Sequence, residues 1–139
     1  MKEIFDARSD DKFGWLGVND ALSQENPGYI EKYGLLGSKT WWKFYDGGEF
    51  NIQVSRGFIS FIGEREDEFN EISDIVEIDF DDKKIEYDRE GFWNDSAVQV
   101  GAKIEIHSIT ILISNWLGEH RAHIDTLISI ECNKTEQGS

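Results

Sequence analysis

The chain has 139 residues, with 28 acids against 14 lysines and arginines, a formal charge of −14 and a pI near 4.5. A surface this acidic repels phosphate backbones and anionic lipid headgroups, which speaks against direct nucleic-acid or membrane binding, and it attracts cations and basic proteins. Hydrophobic residues make up 39% and aromatics 13%, enough for the core of one domain without disulfides or metals.

The first third is the least β-like. Asn19 and Asp20 offer caps for a short helix. Asn26-Pro27-Gly28 is a turn signal that stops it, and residues 29–33 can form one more helical turn ended by Gly34. From Thr40 the pattern changes to period two. Residues 40–45 read as a strand with Trp42 and Phe44 on one face and Trp41 and Tyr45 on the other. Asp46-Gly47-Gly48 then supplies a hairpin turn, and Phe50, Ile52 and Val54 alternate with polar residues as a half-buried strand.

Ser55-Arg56-Gly57 reads as the next turn. Residues 58–62 are apolar on both faces, which marks a central strand covered on both sides. Residues 67–74 read as a helical turn or a long loop. Val76, Ile78 and Phe80 alternate with Glu77 and Asp79, Asp81-Asp82 turns the chain, and Ile85 and Tyr87 alternate back. Val98, Val100, Ala102, Ile104 and Ile106 keep even parity, whereas Ile109, Ile111 and Ile113 keep odd parity. A β-bulge or a tight turn near His107-Ser108 would restore one core face. Ile124, Ile128 and Ile130 make the last strand, with Cys132 in phase as a buried, inert thiol.

The pattern is mainly β, α+β at the margin. It predicts an antiparallel sheet curled into a sandwich or open barrel, with a short N-terminal helical segment packed on one face or end. Residues 1–132 are expected to form a single domain and residues 133–139 a polar tail. One cysteine excludes an intramolecular disulfide and fits a reducing compartment. Residues 1–8 lack the apolar run of a signal peptide, and no stretch approaches the roughly 20 apolar residues of a membrane helix. A cytoplasmic protein is expected.

Residues 64–90 hold the densest charge: 13 acids against 4 bases. Charge runs are usually solvated surface. Here, however, Glu77 and Asp79 share the outward face of one predicted strand and Glu86 and Asp88 that of its neighbour. Four carboxylates on one sheet face repel each other with no folding benefit, as in a docking surface for a basic protein. Trp93, in a loop between acidic strands, is a candidate apolar anchor unless the loop folds inward to cap the sheet. Trp41 and Trp42 are adjacent and on a strand cannot both face one core. Trp41 is therefore a second candidate anchor, unless a helix covers it.

Other chemistry is weaker. Asp79, Asp81 and Asp82 resemble the start of an EF-hand loop, but Lys84 stands where that loop needs glycine. Residues 34–40 contain Gly-Ser-Lys-Thr without the spacing of a phosphate-binding loop. His120, His123 and Asp125 are the best metal-like cluster, yet no third histidine lies near, and polar residues at a hairpin end explain them as well. A base-catalytic His123 oriented by Asp125 lacks an identifiable nucleophile beside it.

In size, acidity, β patterning and lack of catalytic signature, the whole chain resembles bacterial immunity proteins of contact-dependent growth inhibition and related polymorphic toxin systems. The resemblance is one of profile, with no motif that assigns residues. It implies a non-enzymatic inhibitor, without cofactor, that covers the cationic cleft of a cognate, nuclease-type toxin. Glu77, Asp79, Glu86 and Asp88 would meet the toxin's cations, with Trp93 and Trp41 as anchors. Two alternatives are open to the same residues. One is a small-molecule-binding or enzymatic β-barrel using His107, His120 or His123. The other is a nucleic-acid mimic with carboxylates spaced like phosphates.

Overall fold

A computed structural model describes residues 1–9, 15–114 and 116–131. Cys132 and the tail at 133–139 lie outside the described residues. The structure is mainly β with three helices, in the order β1 (Lys2–Asp6), α1 (Trp15–Glu25), α2 (Pro27–Tyr33), α3 (Lys39–Asp46), β2 (Gln53–Glu66), β3 (Ile72–Asp79), β4 (Lys84–Asp88), β5 (Lys103–Ser114) and β6 (His120–Ile130). The strands form one antiparallel sheet, ordered β1-β6-β5-β2-β3-β4, that does not close into a barrel.

The chain divides into two compact units. One comprises Met1–Phe5, Val54–Ile106 and the chain from Leu127; the other comprises Asp6–Gln53 and His107–Thr126. Each has its own core. In the first unit Ile59, Val76, Ile78, Trp93, Val98, Ile104, Ile106, Ile128 and Ile130 pack together. In the second, Leu22, Leu36 and Trp41 from the helical segment meet Ile109, Ile111, Ile113 and Ile124.

β5 and β6 contribute to both cores, and β5 does so by changing parity. Ile104 and Ile106 enter the first core, while Ile109, Ile111 and Ile113 enter the second. No turn interrupts the strand; instead the consecutive residues Ser108 and Ile109 are both buried. On β6, Ile124, Thr126, Ile128 and Ile130 stay in one parity throughout and are all buried. The alternation of β5 thus changes phase between Ser108 and Ile109, whereas that of β6 does not. Beside it, in the second unit, the buried Thr126 hydroxyl donates to the His107 carbonyl at 3.2 Å. Its single proton being used, it accepts from the Tyr45 hydroxyl at 2.7 Å.

The structure corrects several expected elements. Residues 40–45 are not a strand but most of α3, which Ser38 caps by accepting from the Trp41 N–H at 3.2 Å. The helix resolves the adjacent tryptophans: neighbours about 100° apart on a helix can meet one apolar side, as neighbours on a strand cannot. Trp41 is fully buried and Trp42 half-buried. Asp46-Gly47-Gly48 is accordingly the end of α3, not a hairpin turn. Pro27 opens α2 at its first turn, where the missing N–H costs nothing.

Residues 51–52 precede β2, with Phe50 and Ile52 packed against the second core. Ser55-Arg56-Gly57 lies inside β2, because a Cβ at Gly57 would collide with the Asp79 carbonyl and only glycine permits that approach. β2 is an interior strand as expected, yet its two faces are covered unequally: Ile59 is fully buried and Phe58 is exposed. Val98, Val100 and Ala102 belong to a loop rather than a strand. That loop turns Trp93 and Val98 into the first core and bonds back to β2 through the Ile59 N–H and carbonyl.

Replacing Thr126 with valine keeps the shape and removes the hydroxyl that serves both Tyr45 and the His107 carbonyl. T126V is expected to lower unfolding free energy by about 1–3 kcal/mol in urea titration with an unchanged slope, and T126S to recover most of it.

Candidate protein-binding surface

β3 and β4 pair so that Glu77 stands opposite Glu86, Asp79 opposite Lys84 and Ile75 opposite Asp88. Residues directly opposite in an antiparallel pair share a face, so the four carboxylates Glu77, Asp79, Glu86 and Asp88 lie on one face of this sheet. They are not a bare acidic array. Arg65, from β2, donates through one guanidinium nitrogen to Glu77 at 2.8 Å and to Glu86. Its guanidinium carbon lies 4.6 Å from the centre of the Phe61 ring.

The Glu77 side chain is only 13% exposed and also accepts from the Ser60 hydroxyl at 2.7 Å. Arg65 first, and Ser60 second, hold its carboxyl below the usual glutamate value of 4.5. Asp79 also has a local partner: its Oδ1 accepts from the Asp81 N–H at 2.9 Å, in a turn where Asp81 adopts φ 78°. Three of the four carboxylates, Glu77, Asp79 and Glu86, are therefore engaged within the protein. Glu86 shares Arg65 with Glu77 and stays half exposed, and Asp88 is exposed.

The two expected anchors are buried. Trp93 lies in a single helical turn, Gly91–Asn94, and is 4% exposed in the first core, 5.0 Å from the Tyr87 ring. Trp41 has no exposed surface and donates its indole N–H to the Tyr29 hydroxyl at 3.0 Å. Neither can anchor a partner, because each already fills a core.

The structure exposes other apolar groups instead. The β2–β3 turn is held by Asp67, whose Oδ1 accepts from the N–H groups of Phe69 at 2.8 Å and Glu71 at 3.0 Å, with Asn70 at φ 62°. Phe69 is left 74% exposed and Ile72 63%. Around them residues 64–74 carry six acids and one base, Arg65, which is engaged with Glu77 and Glu86. The alternation explains the exposure. Ile62 pairs with Val76 over the core, and the next pairs on that side, Glu64 with Asp74 and Glu66 with Ile72, are exposed beyond it. The sequence held a signal for this site: Phe69 stands among acids with no apolar partner at strand spacing. A second exposed pair, Trp116 and Leu117, occupies the β5–β6 turn.

The histidines form no larger cluster. His120 and His123 are exposed on β6, and His107 is half-buried on β5. His123 Nε2 lies 3.5 Å from Asp125 Oδ1, on the side of the strand they were expected to share. Burial pushes the Asp125 carboxyl above the usual aspartate value, and His123 opposes the shift. Among the described residues no three His, Cys, Asp or Glu side chains are grouped to hold a metal ion. No helix among them is long and apolar enough to cross a membrane.

The two carboxyls shift in opposite senses, so they make opposite contributions to acid stability. Glu77 stabilises the fold above the unfolded-state value and loses that contribution as pH falls through its lowered one. Asp125 costs stability when ionised and is relieved as pH falls through its raised one. Carboxyl-detected NMR should place the Glu77 midpoint below an ordinary glutamate and that of Asp125 above an ordinary aspartate. R65Q should move the Glu77 midpoint up and leave Asp125 in place.

No protein-family profile matches this sequence, and no curated protein matches it either.

Proposed function

We propose that this chain is a protein–protein inhibitor that docks on a basic partner and occludes it, in the manner of the immunity proteins its profile resembles. The observation that carries the reading is the exposure of Phe69 and Ile72 inside a six-carboxylate turn. Exposed aromatic and aliphatic side chains supply the buried area that slows dissociation, and surrounding carboxylates steer a cationic surface into place. A chain at −14 that turned only polar side chains outward at its most acidic point would be explained by solubility alone. The two apolar residues are what solubility does not explain.

The docking surface is accordingly centred on the β2–β3 turn, with Asp88 and the exposed edge of Glu86 extending it on the neighbouring strands. Glu77 serves it indirectly by fixing Arg65. The partner is a basic protein, a cognate toxin domain of nuclease type being the case the resemblance implies, and the action is steric and electrostatic rather than catalytic. The open sheet gives no barrel interior for the histidines to line.

With the basic protein captured from the native host, F69A/I72A should weaken affinity by about 30-fold or more, mainly through faster dissociation. Reversing the exposed acids Glu64, Glu66, Glu68 and Glu71 to lysine should slow association and flatten its salt dependence. If both variants bind with wild-type kinetics, this surface is not the docking site.

A further inference from the structure

The second unit holds an arginine in a built seat. Arg8 follows β1 in a turn tied down on both sides: its own N–H donates to Asp6 Oδ1 at 2.9 Å, and the Ala7 N–H donates to the Thr126 carbonyl at 3.0 Å. Its two terminal nitrogens donate in parallel to the two oxygens of Asp46, at 2.9 and 2.7 Å. The guanidinium carbon lies 4.3 Å from the centre of the Trp42 ring and 5.9 Å from that of Tyr45. A carboxylate presenting both oxygens to a fork of donors, beside an aromatic face, is the geometry that selects guanidinium over ammonium.

The seat is shaped by α3. Trp42, Tyr45 and Asp46 are placed at helical spacing, and Asp46 is the last helical residue. A carboxylate at the negative end of a helix is unfavourable for the helix itself and adds to the pull on a cation. The tryptophan is fixed from behind, with its ring centre 4.8 Å from that of Trp41 and 5.8 Å from that of Trp15. The occupant is held at the surface: the Arg8 side chain is 44% exposed and that of Asp46 57%. Both partners are reached by solvent, so another cation can compete with Arg8 for the same carboxylate.

We infer that Trp42, Tyr45 and Asp46 form a guanidinium-recognition site, filled in this structure by Arg8 and able to take an arginine side chain of a basic protein in its place. The inference rests on the proposed function only for the source of that arginine. The recognition chemistry stands on the seat.

The test uses a blocked single amino acid, N-acetyl-arginine amide, titrated into the folded protein while the Trp42 indole N–H is followed by NMR. A saturable shift is expected, with half-saturation about tenfold lower in R8A than in wild type, since the internal competitor is gone. The shift should be lost in R8A/D46N, and blocked lysine should bind more weakly. A folded R8A without a saturable Trp42 shift overturns the site, and so does equal half-saturation in R8A and R8A/D46N. Should R8A not fold, wild type decides: the Arg8 Nε–H resonance moves as ligand displaces it, or its constancy at high ligand overturns the site. If blocked arginine binds as expected but D46N captures the basic partner as well as wild type does, the site stands and the partner is not its source of arginine.

Discussion

A change of parity in β5 decides which side chains of the strand reach which core. In a strand, side chains alternate, so a single change of phase exchanges inside for outside along the remainder of the strand. Up to Ile106 the even residues of β5 enter the core around Trp93 and Val98, and from Ile109 the odd residues enter the core beneath the helical segment. The irregularity lies where Ser108 and Ile109 are both buried. A strand that breaks its own alternation disturbs its hydrogen-bond ladder. Here Thr126 and Tyr45 supply a buried polar chain beside the irregularity, which meets the demand that buried polar groups find partners.

A second constraint is charge. Glu77 and Glu86 face each other across two strands, an arrangement that costs stability unless a cation is shared between them. Arg65 is that cation, and it is held over the Phe61 ring. The acidic segment is thereby divided. Glu77 and Glu86, on the strand face turned away from that of Val76 and Ile78, are partly neutralised by Arg65. The acids of the β2–β3 turn share their surroundings with the exposed Phe69 and Ile72.

Much of this was legible in the sequence, and the exceptions have physical reasons. The alternation at residues 76–80, the turn at Asp81-Asp82 and the last strand come directly from period two, and the parity change at His107-Ser108 marked the irregularity in β5. Residues 40–45 misled because an aromatic-rich segment satisfies strand propensity, while the decisive signal was the Ser38 cap and the spacing of Trp41, Trp42 and Tyr45. Gly57 read as a turn because a glycine demanded by close approach looks, in sequence, like one demanded by a bend. Of the candidate surface, the shared face of Glu77, Asp79, Glu86 and Asp88 was readable from strand parity. Their neutralisation by Arg65 was not, since it depends on register across three strands. Trp93 and Trp41 failed as anchors because large aromatics in a small domain are needed for its cores.

The proposed docking surface rests on the exposed apolar pair, Phe69 and Ile72, within the acidic turn. Amide hydrogen exchange on the complex with the proposed basic partner tests this most directly, because it reads the contact surface without altering a residue. Protection newly gained across residues 64–74 is the expected result. Exchange unchanged across that segment, with protection gained elsewhere, would contradict it.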